Sequence, residues 1–194
     1  MLSGDYRYGV SAMQWIPAAL AVVLVAWFVL TYNRLVRLRN QIRNAWHQIE
    51  VQLKRRYDLI PNLVEVVKDY MSYEQETLSR VIAARGAAIS ASGTAAQAKA
   101  ENALTESLKS LFAVVENYPD LKANRNVASL QEELTGTENK ISFARQYYND
   151  SVMSFNNTIQ SIPSNVIASV FDFRPSEYFD AGEEAKAVPK ADLR

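Results

Sequence analysis

No charged residue interrupts the chain from Tyr8 to Asn33, and the middle of that run, Ile16 to Tyr32, is almost wholly apolar. A helix crossing a bilayer core takes about 20 mainly apolar residues. The stretch therefore predicts a transmembrane helix over residues 12–32, behind a short extracytoplasmic N-terminus at residues 1–11. Pro17 lies near the outer end, where neighbouring groups can satisfy the freed backbone. A cleaved signal peptide needs a basic n-region and small residues before its cleavage site. Here Asp5 and Arg7 cancel, and Trp27, Phe28 and Leu30 stand where small residues would be. The expectation is an anchor, with everything after Tyr32 held against a membrane.

Orientation is read from the flanks. Arg34, Arg37, Arg39 and Arg43 follow the run with no acidic residue among them. Basic flanks stay on the cytoplasmic side, which predicts a single-pass protein of the cell inner membrane with its N-terminus outside and its large domain in the cytoplasm. These four arginines are the candidate membrane-surface residues, each drawn to anionic lipid headgroups by about 1 kcal/mol near the surface. Lys54, Arg55 and Arg56 extend the basic series, but that attraction fades beyond a Debye length. Topology setting and snorkelling stems are the plainer reading of the whole series.

Charge and composition exclude much else. Lys and Arg total 21 against 21 Asp and Glu, so no global field favours nucleic acid, and none is expected as a partner. Cysteine is absent, which removes disulfides, thiolate metal sites and lipidated cysteine anchors. His47 is the one histidine, so paired-histidine metal sites are excluded. Glu65 and Asp69 share a helix face without a third ligand, and Gly136-Thr137-Glu138 sits inside a helical pattern rather than after a strand. Asn149-Asp-Ser151 and Asn156-Asn-Thr158 fit the glycosylation pattern, but lie in a helix on the side assigned to the cytoplasm. The expectation is a non-enzyme with no cofactor, metal or catalytic residue.

Helical periodicity fills the rest. Apolar residues recur at Leu35, Leu38, Ile42, Trp46, Ile49, Leu53, Tyr57, Ile60 and Val64, a repeat of about eleven residues that keeps one coiled-coil-like stripe facing a partner. The stripe continues through Val67, Met71, Leu78 and Ile82, and a second runs from Leu130 through Leu134, Ile141, Ala144, Tyr148, Val152, Phe155 and Ile159 to Ile162. Leu104, Leu108, Leu111, Phe112 and Val115 mark a shorter helix between them. Pro61 predicts a kink or restart. The small residues of Arg85–Thr94 predict a loop, and Tyr118-Pro119 and Ile162-Pro163 end helices. The fold class is all-α: the membrane helix runs into an elongated antiparallel cytoplasmic bundle over residues 33–181, projecting about 40 Å between Tyr32 and Ile60. Residues 182–194 hold too few large apolar groups to pack, which predicts a disordered tail. Before that tail, Phe171, Phe173, Tyr178 and Phe179 are the candidate interaction residues. Docking on their own bundle is favoured over docking on a neighbouring subunit or the bilayer.

The same residues carry a family resemblance. Tyr32-Asn-Arg-Leu-Val36, Arg56-Tyr-Asp-Leu-Ile-Pro-Asn-Leu-Val64, Tyr118-Pro-Asp-Leu-Lys-Ala123, Leu130-Gln-Glu-Glu-Leu-Thr-Gly-Thr-Glu-Asn139, Ala144-Arg145 with Tyr148-Asn149, and Ile162-Pro163 followed by Tyr178-Phe179 occur in order. Together they resemble the LemA family over about Tyr32 to Glu184. Val127 and Ile162 replace usual aromatics, and Asp172-Phe173-Arg174 replaces a Gly-Phe-Lys-like segment. The resemblance implies a helical bundle on an N-terminal membrane helix, with no agreed biochemical activity. It also implies relatives in magnetosome formation and neighbours among membrane metalloproteases. Two functions follow as expectations: a membrane scaffold that self-associates as a homo-oligomer, or an adaptor presenting a helical face to another membrane protein.

Overall fold

The computed structural model describes residues 15–71 and 73–179. Among them every regular element is helical: α1 Ile16–Lys68, α2 Gln75–Ser90, α3 Thr94–Val115, α4 Pro119–Lys122, α5 Arg125–Gln160 and α6 Ser164–Val170. A segment without regular secondary structure follows from Phe173 to Phe179. The all-α class holds, with a long apolar N-terminal helix leading into a helical bundle. By length and composition α1 can cross a membrane, and none of its apolar stretch is buried against the chain itself. The expectations for residues 1–11 and 182–194 fall outside the described residues.

Two compact units are distinguishable in the chain. The first joins residues 15–41 to 153–176. Its buried side chains include Leu35 from α1, Phe155 and Ile159 from α5, Ile167 from α6, and Phe173. Asn156 of α5 holds that segment through both backbone groups of Ser176, its amide donating to the Ser176 carbonyl at 2.9 Å and its oxygen accepting from the Ser176 N–H at 2.9 Å. Asp172 takes a φ of 53°, a left-handed conformation that aspartate tolerates better than most residues.

The second unit joins residues 42–152 to 177–179. Here α1 and α5 pack antiparallel, with Trp46 beside Tyr148 towards one end (ring centroids 5.5 Å apart) and Arg55 beside Glu133 towards the other (3.3 Å). Further along, Ile60, Leu63, Val67 and Met71 join Leu78 and Val81 of α2 and Leu104, Leu108 and Leu111 of α3 in one core. Asn149 binds Phe179 as Asn156 binds Ser176, donating at 3.0 Å and accepting at 2.8 Å.

The eleven-residue stripes are core. Ile42, Ile49, Leu53 and Ile60 are buried on α1, as are Leu134, Ile141, Tyr148 and Val152 on α5. Two residues leave the pattern: Ile82 is 54% exposed on the outer face of α2, and Ile162, past the end of α5, is 87% exposed. Two boundaries also differ from expectation. Pro61 lies inside α1, which runs to Lys68. Proline has no N–H for the Tyr57 carbonyl, and the Arg85 Nε–H fills that role from α2 at 2.8 Å. The expected loop at Arg85–Thr94 is mostly helix, since α2 continues to Ser90 and only Ala91 to Gly93 turn. Burial of Ala88 favours the added turn, and Gly93 takes the positive φ (84°) that reverses the chain.

Candidate functional site

The four arginines expected at the membrane surface, Arg34, Arg37, Arg39 and Arg43, all lie exposed on α1. Arg39 also sits over the Phe173 ring, 5.1 Å from its centroid, which spends part of its charge on a cation–π contact within the chain. The tail aromatics divide. Phe173 and Phe179 are buried, whereas Phe171 and Tyr178 are exposed. Phe171 packs 4.8 Å from the Tyr32 ring and 5.8 Å from Phe28. Phe179 lies against Trp46, with the Arg145 guanidinium 4.7 Å above its ring. Burial holds Arg145 below the usual arginine range, although Glu138 and Glu101 oppose the shift. Much of the aromatic segment is thus spent on intrachain packing, and Phe171 and Tyr178 are what it offers to solvent.

The other singled-out groups have local partners. His47 Nδ1 meets Glu50 at 2.7 Å on the surface, and the Trp46 indole N–H donates to the other oxygen of the same carboxylate at 2.7 Å. Glu65 accepts from Lys68 at 2.7 Å. No group of three potential metal ligands occurs among the described residues.

Counting charges along the chain misses the most unusual cluster. Arg56 is buried on α1, and the Glu101 carboxylate on α3 has no exposed surface. Arg56 Nη1 lies 2.8 Å from Glu138 on α5 and 3.4 Å from Glu101, while Nη2 donates to the Thr105 hydroxyl at 2.8 Å. On the other side of Glu101, the Tyr57 hydroxyl donates to its carboxylate, and the Gln97 amide donates to the same oxygen at 3.0 Å and to the Ala88 carbonyl at 3.1 Å. Burial first, then the hydrogen bond and charge of Glu101, push the Tyr57 phenol well up. A signal for this cluster exists in the sequence. Arg56 falls three residues after Leu53 and four before Ile60, and Glu101 three before Leu104, so both stand in core register.

A cavity of ≈ 230 Å³ adjoins the cluster, lined by Arg56, Thr105, Leu108, Phe112, Leu134 and Glu138 among others. The polar groups are bonded to one another, the Thr105 hydroxyl also lying 3.4 Å from the Glu138 carboxylate. Buried charges are tolerated when paired and hydrogen-bonded. This centre ties α1, α3 and α5 at one level, and a slip of one residue on any of them would strand a charge in the core.

Known proteins give these features a context. The sequence pattern of the LemA family matches residues 45–192. Protein LemA of Metamycoplasma hominis is 28% identical over 164 residues, spanning 84% of this chain and 75% of that protein. Magnetosome protein MamQ 2 of Paramagnetospirillum magneticum is 24% identical over 213 residues, spanning 95% and 78%. Magnetosome protein MamQ of Magnetospirillum gryphiswaldense is 24% identical over 202 residues, spanning 89% and 74%. The family match takes in the charge centre and the Asn149 clasp, and covers well over half of the sequence. The chain belongs to the LemA family.

Proposed function

We propose that the protein is a single-pass, membrane-anchored helical scaffold that self-associates and organises or shapes the membrane, without enzymatic activity. The observation that carries this reading is α1 itself. Its apolar stretch has the length a bilayer asks for and none of it is buried, with Phe171 touching only its last residues, and the same helix then supplies a wall of the bundle core. The similarity to two magnetosome proteins supports a membrane-organising role. In this reading the N-terminus lies outside the inner membrane. Arg34, Arg37, Arg39 and Arg43 then meet the anionic headgroups of the cytoplasmic leaflet.

Particle mass of the full-length protein in nanodiscs or mild detergent is the direct test. The expected result is a discrete assembly heavier than one chain plus its lipid. A monomer at membrane densities matching the cell would sink the scaffold and leave the adaptor role to be pursued by partner capture.

A further inference from the structure

The chain holds a second uncharged run, since no charged residue stands between Asp150 and Asp172. It forms the end of α5, the corner at residues 161–163 and all of α6, and most of it shares the first unit with the apolar stretch of α1. The inward side chains of α6, Ile167 and Ala168, are buried. Its outward face is apolar as well. Ile162 at the corner is 87% exposed, and Val166 and Val170, at successive intervals of four, are 61% and 71% exposed. A helix that is apolar on both sides still has one side to cover after the other is packed. Gln160 and Ser169, the exposed polar residues beside this row, carry no charge.

Two contacts within the unit fix the level of the corner along α1. Phe171 lies 5.8 Å from Phe28. A cleft of ≈ 230 Å³ has Trp27, Thr31 and Arg34 on one side and Thr158, Ser161 and Ile162 among its other walls. Trp27 precedes Arg34, the first charge after the apolar stretch, by about 10 Å along the helix. The corner therefore stands beside the last turns of that stretch, not beyond them. We infer that the corner and the outer face of α6 are a second membrane contact. They enter the same leaflet as the end of the apolar stretch, with Ile162, Val166, Val170 and Phe171 at the acyl boundary. This contact presupposes the anchoring of α1 proposed above. Lipid is the occupant because the row continues, in the same unit and at the same level, the apolar surface of the span. The depth required is the 5–10 Å or so that interfacial helices reach. The corner also suits a setting poor in water. Ser161 donates to the Asn157 carbonyl at 2.7 Å, Thr158 to the Ser154 carbonyl at 2.7 Å, and Ser164 to the Thr158 carbonyl at 2.6 Å. Hydroxyls and carbonyls at the end of α5 thus satisfy one another, as lipid demands of a backbone. Pro163 has no N–H to leave unpaired, and Arg34 reaches the cleft from the headgroup side.

With no native cysteine, single cysteines report depth. Full-length Ile162→Cys and Val166→Cys carry a nitrobenzoxadiazole label in nanodiscs of phosphatidylcholine and phosphatidylglycerol. The discs are made with and without lipids bearing a nitroxide, either near the top of the acyl chain or deeper. Val25→Cys, in the apolar stretch, and Glu106→Cys, exposed on α3, are the references. The shallow nitroxide should quench the labels at 162 and 166, the deep one the label at 25, and neither the label at 106. A water-soluble maleimide, which needs the thiolate, should modify the free thiols at 162 and 166 about tenfold or more slowly than the thiol at 106. Since positions 162 and 166 are exposed, these variants do not threaten the core.

If Val25→Cys is quenched while positions 162 and 166 behave as 106 does, the corner stands in water. The second contact is then wrong and the anchor remains. If Val25→Cys is itself unquenched, the anchoring fails and takes the second contact with it. Labels at 162 and 166 that are blue-shifted, yet untouched by either nitroxide, would place protein rather than lipid on the row. That result also overturns the proposed contact and leaves the anchor in place.

Discussion

Arg56 is the residue on which the second unit is most sensitive. Removing one partner of a buried pair leaves the other charged and dry, which is far worse than removing both. Arg56→Ala, which strands Glu101, should lower stability by about 3–5 kcal/mol. Glu138→Gln should do less, because the Glu138 side chain is 35% exposed. Replacing Arg56 and Glu101 together by apolar residues should lose less than the two single losses combined. Denaturant or thermal unfolding of full-length protein in detergent measures all of these. Tyr57 adds a pH dependence. Its phenol is raised in the fold above the unfolded value of 10.0, so its contribution is complete below that pH and is lost as pH rises through the folded value. Stability should therefore fall above about pH 10, and Tyr57→Phe should flatten that fall while lowering stability near neutrality. The sequence contained the clue to this centre, since both charges stand in core register. Arg56 was hidden because it ends a basic series in which Lys54 and Arg55 are exposed as a basic flank should be.

At the scale of elements, the sequence was most legible where one helix face decided the outcome. Both stripes and the shorter middle helix are where periodicity put them, because apolar residues at intervals of three and four have one buried arrangement. It was least legible where a distant side chain supplied what the local chain lacked. Nothing near Pro61 says that Arg85 will satisfy the Tyr57 carbonyl, so a break was the local expectation. Small residues around Gly86 likewise conceal a helix that tertiary burial extends. The Pro61–Arg85 relation makes a double-mutant prediction. Arg85→Ala should cost about 1.5–3 kcal/mol in the native background, the worth of a hydrogen bond from a charged donor. In Pro61→Ala, whose restored N–H can serve the carbonyl, the same change should cost much less. Unfolding midpoints of the four proteins give the coupling, and strict additivity would show that Arg85 contributes nothing through that bond.

For the whole molecule, the sequence identified a helical protein with a long apolar N-terminal helix, but not its two compact units. Both α1 and α5 run from one unit to the other without a break, so no linker marks the boundary. Nor could periodicity tell which apolar residues would be left over once the stripes were buried. Ile162 and Val166 emerged only when the neighbours of each helix were known. The proposed topology is tested on the intact cell. With a membrane-impermeant maleimide, Ser3→Cys should be labelled from outside, and Glu106→Cys only after the inner membrane is opened. The reverse pattern would invert the orientation and remove the arginines from the cytoplasmic surface.

The charge centre also constrains the order of events during synthesis. A ribosome makes Arg56 long before Glu101, and Glu101 long before Glu138. The closest carboxylate to the guanidinium is therefore the last of the three residues to exist. Until it emerges, Arg56 has only Glu101 and Thr105 among these partners. By then the apolar stretch at the start of that helix has left the ribosome and is available to the bilayer. On the proposed anchoring, the apolar stretch is free to enter the bilayer before the Arg56–Glu138 pair can form.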